Sequence, residues 1–329
     1  MKKNLTGAVI GSGYMGIQHL GILDKMIDKV ILCSIDEKTG TELAQRYNCK
    51  FYTDYKEMIE SENIDFVSVC LPTPLHYDIT MYALDKGINV LCEKPFAQNP
   101  EQAKAMIDKA NEKNLLLMVG HLCRFQKHWE LLRRCINDKR YGNLIYLNMC
   151  RHSVAPKWSV GGWLENAEKS GGTLKDLHIH DTDLIVHFLG VPESVHTTGT
   201  LFASNTVYTY PDNISVTASA SWRNNSSLYP IDYSFDAIFE NGTIKSVNDV
   251  VTLYTGDEMV EALDEKEEFP EFFNHETSLT GEISYFTDCL LNGTKPEICM
   301  PEDTLISMCV NEAEVTSLKS KKQENVVLI

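Results

Sequence analysis

The chain has 329 residues, of which 43% are hydrophobic and 23% are charged, and its formal net charge is −16. This length predicts two domains, and so acidic a balance disfavours nucleic acid and anionic membrane surfaces, so we expect neither as a partner. No apolar run reaches membrane-spanning length, and the first residues, which are polar and soon followed by a glycine-rich strand, lead us to expect no signal peptide. The ten cysteines include no C-x-x-C pair, so we expect free thiols in a reducing compartment, the cytoplasm.

A glycine-rich turn follows the first apolar run, Leu5 to Ile10, and precedes a predicted helix. The turn reads Gly11-Ser12-Gly13-Tyr14-Met15-Gly16. Gly11 permits a tight turn, Gly13 permits the approach of a pyrophosphate, and Gly16 lets the helix pack closely on the strand. A second apolar run ends at Asp36, where a carboxylate can accept hydrogen bonds from ribose hydroxyls. This combination in this context predicts a dinucleotide-binding turn.

Strands and helices alternate up to about residue 120, which predicts a doubly wound parallel sheet. Further strands are predicted at 66–71, 89–92 and 115–119, with helices at 77–87 and from Pro100 onward. Ligands of such sheets bind beyond the carboxyl ends of the strands, and Thr73 and Lys94 follow two of those ends. Pro95 biases Lys94 towards extended geometry, which would direct its ammonium group at the cofactor edge. From spacing alone, a solvated lysine is an equally good interpretation.

The pattern changes after residue 120 to that of a second, α+β domain with a broad sheet. A helix is predicted at 127–138 and a strand at 144–150. Apolar residues at every second position of 214–222 and 231–239 predict half-buried antiparallel strands. Helices at 280–291 and 301–318 close the chain. We therefore predict domains of residues 1–120 and 121–329.

The stretch 171–187 leads from the Gly171-Gly172 pair into a helix that we predict to run on through Phe188 to Gly190, where Pro192 stops it. Asp176 and His180 are four residues apart, so a helix would stack them on one face, and Asp183 could share that side. An imidazole beside a carboxylate is a proton carrier near neutral pH. Acids near a helix start also need no catalytic explanation, so a helix that merely caps itself stays an alternative.

The combined motifs resemble the glucose–fructose oxidoreductase/inositol dehydrogenase (Gfo/Idh/MocA) family along nearly the whole chain. The motifs on which this resemblance rests are the glycine turn, Pro72-Thr73-Pro74-Leu75-His76, Leu91-Cys92-Glu93-Lys94-Pro95 and the stretch 170–183. The resemblance implies a Rossmann domain followed by a substrate-binding and oligomerisation domain with a large, mostly antiparallel sheet. It also implies a homodimer or homotetramer formed through that sheet, and an NAD cofactor. Asp36 favours NAD over NADP, because a 2′-phosphate would lie close to its carboxylate.

The resemblance implies hydride transfer between NAD and a secondary alcohol or ketone of a sugar, glycoside or cyclitol such as inositol. Its catalytic group would be Lys94, Asp176 and His180. The residues expected at the cofactor are Gly11, Ser12, Gly13, Tyr14, Met15, Gly16, Asp36, Leu71, Thr73, Pro74, His76, Glu93 and Lys94.

Three alternatives accompany this interpretation. The first is transient oxidation followed by elimination, without net redox change, and the second is a non-enzymatic NAD-binding regulator. The third is a metal site that uses His178, His180 and Asp181 or Asp183. Rings two residues apart on a helix lie about 200° apart, which disfavours chelation, so we expect no metal.

Two positions depart from the family pattern. His178 stands where the family often has a small residue, and it either adds a polar contact to the pocket or turns away from Asp176. Leu164 follows Trp163 where relatives that hold NADP often have Trp-Arg, which slightly favours NAD. The role of the loop from Trp158 to Trp163 stays open.

Overall fold

The structure, a computed structural model, describes residues 2–157, 159–212, 214–224, 231–256, 258–261 and 268–329, so Trp158 lies outside the described residues. Two compact units make up the chain. Unit 1 comprises Met1–Leu122 and Asn274–Thr304, and unit 2 comprises Cys123–Phe273 and Leu305–Ile329. The predicted boundary at residue 120 lies close to the first change of unit. The sequence pattern does not predict that residues 274–304 belong to unit 1.

Unit 1 is built on a parallel sheet of six strands. They are β1 (Lys3–Ile10), β2 (Ile27–Cys33), β3 (Lys50–Tyr52), β4 (Phe66–Val69), β5 (Asn89–Glu93) and β6 (Leu117–Gly120). Their order is β3-β2-β1-β4-β5-β6, which confirms the predicted doubly wound Rossmann sheet. The intervening helices are α1 (Tyr14–Met26), α2 (Glu37–Tyr47), α3 (Tyr55–Ser61), α4 (His76–Asp85) and α5 (Pro100–Lys113). All four residues of β4 are buried, as expected for a parallel strand covered on both faces.

Unit 2 is built on a sheet of nine strands. They are β7 (Leu144–Val154), β8 (Ser194–Thr200), β9 (Ala203–Thr209), β10 (Ser215–Asn224), β11 (Asp232–Phe239), β12 (Gly242–Val247), β13 (Val250–Thr255), β14 (Glu258–Glu261) and β15 (Glu324–Asn325). The order is β14-β13-β12-β11-β7-β10-β9-β8-β15. Only β7 and β10 pair in parallel among these described strands, which confirms a large, mostly antiparallel sheet.

The remaining helices are mostly short. They are α6 (Lys127–Asn137), α7 (Ala167–Ser170), α8 (Gly172–Asp176), α9 (Ile179–Leu189), α10 (Ser278–Asn292) and α11 (Pro301–Ser320). Short 3-10 segments occupy Thr73–Leu75, Leu122–Phe125 and Glu271–Phe273, and a further 3-10 segment, Val160–Glu165, is interrupted by the positive φ of Gly161 and Gly162. Within the described ranges, no helix has both the length and the apolar character that crossing a membrane requires.

The predicted helix that follows the Gly171-Gly172 pair and runs to Gly190 is not continuous, because α8 and α9 are separate. The backbone N–H groups of Leu177 and His178 both bond to the Thr173 carbonyl, at 2.9 and 2.8 Å, and the N–H of His180 bonds to the Leu177 carbonyl at 3.3 Å. The hydrogen-bond spacing therefore changes from four residues to five and then to three. Asp176 ends α8 while His180 lies in the first turn of α9. Their spacing of four does not stack them on one helical face.

Candidate active site

The residues predicted to bind a dinucleotide lie at one edge of the sheet in unit 1. Gly11 follows the end of β1, Asp36 lies three residues beyond β2, Thr73 lies four residues beyond β4, and Lys94 directly follows β5. Because these strands are parallel, their carboxyl ends share one edge. The structure therefore brings the predicted residues of unit 1 to a common edge, the usual ligand position in such sheets.

The glycines of the turn are required for different steric reasons. Gly11 has φ +118°, and a Cβ there would lie 2.2 Å from the Cys70 carbonyl oxygen. A Cβ on Gly16 would lie 2.1 Å from the Gly11 carbonyl oxygen. By contrast, a Cβ on Gly13 would meet nothing within 4 Å. The space over Gly13 is thus open to a group from outside the chain.

The surroundings of the turn suit an anionic nucleotide. No side chain caps α1 at Gly13, and a helix N-terminus of this kind attracts phosphate. The Tyr14 and Ile35 side chains are 60% and 91% exposed at the same sheet edge, which offers apolar surface to a base. Ser12 Oγ lies 2.7 Å from Ser34 Oγ, so a hydrogen bond links the turn to the end of β2.

Asp36 is an exposed acid at the start of α2. Its carboxylate accepts hydrogen bonds from the Thr39 backbone N–H at 3.1 Å and from the Thr39 hydroxyl at 2.7 Å. These bonds lower the pKa of Asp36 below its ordinary range, so the group is ionised at neutral pH. Each oxygen keeps a lone pair for a further donor, such as a ribose hydroxyl.

The His76 ring connects two loops at this edge. It is fully buried, with Nδ1 2.9 Å from the Pro95 carbonyl oxygen and Nε2 2.7 Å from the Leu71 carbonyl oxygen. Burial lowers the pKa of His76, so the neutral ring donates to one of the two carbonyls. His76 thereby positions the segment around the cis peptide Lys94–Pro95. Its direct contact with NAD stays a prediction.

Glu93 belongs to a buried group of polar side chains. Nε2 of His19 lies 2.9 Å from Glu93 Oε1, and Nδ1 of the same ring lies 2.7 Å from Ser68 Oγ. The other carboxylate oxygen, Glu93 Oε2, accepts the backbone N–H of Lys94 at 3.2 Å. Burial alone would raise the pKa of Glu93, but His19 lowers it through its hydrogen bond and its charge. Glu93 thus fixes the backbone of Lys94. A direct contact of Glu93 with the cofactor stays a prediction.

Glu282, on α10, is the most unusual acid of unit 1. Its side chain is fully buried, and neither carboxyl oxygen has a hydrogen-bond partner among the described residues. Burial and the charge of Glu93 raise the pKa of Glu282 well above its ordinary value. Because a buried, unpartnered carboxylate is costly, Glu282 is held as a neutral acid.

His19, Glu93 and Glu282 also form the one group in the described part of the chain with metal-ligand geometry. Their ligand atoms all lie within 4.8 Å of one another. Metal ligation requires deprotonated ligands, and a neutral Glu282 would have to lose its proton to serve as one. We therefore favour a protonated Glu282 over a metal ion bound by this group. The expected absence of a metal stays a prediction.

In unit 2, the candidate base His180 is buried and oriented. It is 8% exposed, and its Nδ1 lies 3.6 Å from Cys123 Sγ. Nε2 is therefore the ring nitrogen on the side away from Cys123. Asp176 is half-buried at the end of α8. Their catalytic roles stay predictions.

Two buried ion pairs hold the start of α9. Arg124 donates to the two carboxylate oxygens of Asp183 from Nε and Nη2, both at 2.8 Å, and Ser307 Oγ adds a third donor at 3.0 Å. Arg151 donates to Asp181 from Nη2 at 2.8 Å and from Nε at 3.0 Å. Asp183 lies three residues after His180 in α9, and its oxygens are engaged by Arg124 and Ser307, while any part in the candidate catalytic side stays a prediction.

His178 turns into a buried network of unit 2. Its Nε2 lies 3.1 Å from the Tyr208 hydroxyl and 3.6 Å from Glu314 Oε1. Tyr208 and Asn311 donate to Glu314 at 2.6 and 2.7 Å. The fully buried ring belongs to this network and offers no surface to a ligand. The alternative metal site at 178–183 does not form among these described residues, since each acid there is paired with an arginine.

Sequence reasoning missed His19, Glu282, Arg124 and Arg151. For Arg151 a signal exists, because it continues the alternation of Leu147 and Met149 on the buried face of β7. A charge on such a face requires a buried counter-charge. The identity of that partner has no local signal, since Asp181 lies 30 residues away.

Two family models match this chain. The model of the oxidoreductase family with an NAD-binding Rossmann fold, GFO_IDH_MocA, matches residues 5–121. The model of the GFO/IDH/MocA C-terminal domain matches residues 129–245.

Individual relatives share about a third of their residues with the chain over the matched part. The D-glucoside 3-dehydrogenase of Escherichia coli (strain K12) is 34% identical over 170 residues, which cover 50% of this chain and 48% of the relative. The 2,7-anhydro-N-acetylneuraminate hydratase of Mediterraneibacter gnavus is 29% identical over 198 residues, or 60% of this chain and 53% of the relative. The chain thus spans about half the length of these curated relatives.

One solved structure illustrates the shared fold over the whole chain. It is an oxidoreductase from Agrobacterium radiobacter in complex with NAD+, L-tartaric acid and magnesium. Its TM-score is 0.85 at 18% identity, and the match covers 98% of this chain and 99% of that one.

Proposed function

Because the chain belongs to the GFO/IDH/MocA family of NAD-binding oxidoreductases, we propose that it is an NAD-dependent dehydrogenase of a sugar, glycoside or cyclitol. The observation that carries the proposal is the convergence of Gly13, Asp36 and Lys94 at the carboxyl edge of one parallel sheet. A relative named as a D-glucoside 3-dehydrogenase supports a secondary alcohol as the reacting group.

The chain offers a fitting set of residues for the cofactor. The open space over Gly13 and the start of α1 would hold the pyrophosphate, and Asp36 would accept hydrogen bonds from the ribose. Tyr14 and Ile35 would provide apolar surface for a base. When bound, the nicotinamide supplies the hydride acceptor, and the protein supplies binding, orientation and proton transfer.

The proton chemistry is assigned to three side chains. His180 accepts the hydroxyl proton of the substrate at Nε2, while Cys123 orients the ring from the Nδ1 side. Lys94 stabilises the negative charge that develops on the substrate oxygen. Asp176 orients the imidazole or binds a neighbouring hydroxyl group of the substrate. The partly buried hydrogen bond between the Lys94 backbone N–H and Glu93 supports the placement of that lysine.

The test is a panel of sugars, glycosides and cyclitols with NAD, followed by NADH absorbance. Lys94→Ala and His180→Asn should each lower kcat by about 10²-fold or more while NAD binding persists. Lys104→Ala is the matched control, since Lys104 pairs with Asp108 on the exposed side of α5. Near-normal turnover of either site variant would show that its side chain has no part in the chemistry.

A second candidate function is oxidation followed by elimination or hydration, without net redox change. The relative named as a 2,7-anhydro-N-acetylneuraminate hydratase favours it. Such a reaction consumes substrate without stoichiometric NADH, so product analysis beside the absorbance measurement separates the two functions.

We also propose how the protein occurs in the cell. NAD is preferred over NADP on account of the Asp36 charge. Copies associate as a homodimer or homotetramer through the nine-stranded sheet, and the free state of the ten cysteines suits the cytoplasm. Light scattering tests the proposed assembly, and localisation of the tagged chain tests the proposed compartment.

A further inference from the structure

Helix α11 carries a stripe of polar side chains on its buried side. Ser307, Asn311 and Glu314 are four and then three residues apart, so they share one face of the helix. All three are buried, and polar groups on a buried helix face are costly unless they are hydrogen-bonded. Hydrogen bonds join this polar stripe of α11 to α8, α9 and β9.

Asn311 satisfies a backbone group that the break between α8 and α9 leaves open. In a continuous helix the His178 N–H would bond to the Leu174 carbonyl, but it bonds to the Thr173 carbonyl at 2.8 Å. Nδ2 of Asn311 donates to the Leu174 carbonyl instead, at 2.9 Å. The second proton of the same nitrogen is donated to Glu314 Oε2 at 2.7 Å. One side-chain amide thus caps the end of α8 and connects it to Glu314.

Glu314 holds the start of α9 through its other oxygen. The Thr182 hydroxyl donates to Glu314 Oε1 at 3.0 Å, and the Tyr208 hydroxyl donates to the same oxygen at 2.6 Å. The Tyr208 oxygen lies 3.1 Å from Nε2 of His178, the residue that precedes α9. Burial disfavours a charged His178 ring, but the Glu314 charge raises the pKa of His178 above its ordinary value. The carboxylate that Asn311 connects to α8 therefore also holds α9.

The two anchored positions enclose the candidate catalytic residues of unit 2. Asp176 lies two residues after Leu174, and His180 lies two residues before Thr182. Because the break separates α8 from α9, no single α-helix carries both candidate residues. The polar stripe of α11 supplies contacts that span the break between them.

We propose that Asn311 and Glu314 are positioning residues, which set the geometry of the break and thereby the placement of Asp176 relative to His180. The proposal rests on the proposed function, because this placement matters for chemistry only if the two side chains act on a substrate. A misplacement of about 1 Å can lower the rate of an enzymatic reaction about 10²-fold.

The test compares two alanine variants of α11 in the full chain. Asn311→Ala removes both bonds of the side-chain amide, and Ser317→Ala is the matched control. Ser317 is likewise buried, but its hydroxyl accepts the Thr197 N–H of β8 and donates to the Lys322 carbonyl. Each variant loses two buried hydrogen bonds, so urea denaturation should show similar losses of stability.

Amide hydrogen exchange reports on the break without any substrate. Peptides that cover residues 174–182 should exchange about tenfold faster or more in Asn311→Ala, because the contacts across the break are lost. Ser317→Ala should keep the parental rate in these peptides. Tyr208→Phe is a milder second variant, since it removes one hydroxyl and keeps the ring, and it should act in the same direction as Asn311→Ala. Parental exchange of residues 174–182 in both Asn311→Ala and Tyr208→Phe overturns the proposal.

Steady-state kinetics then test the consequence for the chemistry. With an accepted substrate, kcat of Asn311→Ala should fall about tenfold or more, while KM and NAD affinity stay near those of the parent. The slowed chemical step should also raise the deuterium isotope effect on kcat, measured with substrate labelled at the reacting carbon. Ser317→Ala should change neither quantity.

The outcomes separate this proposal from the proposed function. Faster exchange together with a parental kcat in Asn311→Ala overturns the proposal, because the break would then have no effect on the chemistry. A parent without turnover on any substrate of the panel counts against the proposed function, and the exchange result then decides whether Asn311 positions the break.

Discussion

Buried acids are stabilised in two opposite ways in the two units. In unit 2, Asp181 pairs with Arg151 and Asp183 pairs with Arg124, and each acid accepts hydrogen bonds from two guanidinium N–H groups. In unit 1, Glu282 has no hydrogen-bond partner among the described residues and keeps its proton. A buried carboxyl group thus needs a matched cation or a proton, and the choice decides how substitution and pH act on it.

The reason for the difference is the neighbour. The planar fork of an arginine matches the two oxygens of a carboxylate, so both charges stay in place. Glu282 instead faces Glu93, whose negative charge is already matched by His19. Two like charges so close together disfavour a second ionisation, and the proton stays on Glu282.

The largest effect is expected where an ionised acid loses its cation. Arg124→Leu should lower the free energy of unfolding by about 3–5 kcal/mol, because Asp183 would stay buried without its cation. Urea denaturation at neutral pH measures it. Arg133→Leu is the control, since Arg133 is 31% exposed in its pair with Glu130 and should cost about 1 kcal/mol or less. Equal losses in the two variants would contradict the assigned burial cost.

A pH-dependent effect of similar origin is expected at His187, on α9. Burial and the charge of Arg124 lower the pKa of His187 to about 4. The unfolded chain, with a His pKa of about 6.5, therefore binds more protons between these values. The free energy of unfolding should fall as pH drops from about 6.5 to about 4, by up to about 3 kcal/mol. His187→Asn should flatten this slope in denaturation curves. A slope unaltered by His187→Asn would assign it to other groups.

Glu282 should make stability depend on pH in the opposite sense to His187, and Glu282→Gln should remove that dependence. The raised pKa means that the folded chain binds more protons than the unfolded chain above about pH 4.3, so native stability declines as pH rises. The variant lacks this decline and should be roughly 1–2 kcal/mol more stable than the parent at about pH 8. Glu93→Gln is the counterpart, because it removes the partner of His19 and should destabilise throughout. A destabilised Glu282→Gln at alkaline pH would mean that Glu282 is ionised or holds a cation.

The smallest effect is expected at Asp36, an exposed acid that water solvates, so that neither a matched cation nor a proton is needed to stabilise it. Asp36→Ser should lower the ratio of kcat/KM for NAD over NADP by about tenfold, as the repulsion of a 2′-phosphate disappears. Serine also caps helices, so stability should change little. Asp54→Ser is the matched control, because Asp54 caps α3 in the same way. A parent enzyme with equal kcat/KM for both cofactors would remove the role given to Asp36.

The same contrast explains how much of the molecule the sequence predicts. The glycine turn and the strand ends of unit 1 follow from geometry set within a few residues, so Gly11, Asp36 and Lys94 were predicted at one edge. The break at Leu177 and His178 has no such signal, since polar and apolar residues continue through it at helical spacing. The arginine pair of Asp183 joins positions 59 residues apart, which no local pattern encodes.

The return of residues 274–304 to unit 1 has a consequence for biosynthesis. Nζ of Lys3, in the first strand, donates to Thr287 Oγ1 across 284 residues, and the rings of Phe66 and Phe286 pack with centroids 5.3 Å apart. A ribosome has therefore made nearly all of unit 2 before the partners of β1 and β4 leave the exit tunnel. Until residues 274–304 are synthesised, the nascent Rossmann sheet therefore exposes the apolar surface that they later cover. Chaperones bind exposed surfaces of this kind. Deleting α10 should thus lower the amount of folded protein more than it lowers the total amount of chain synthesised.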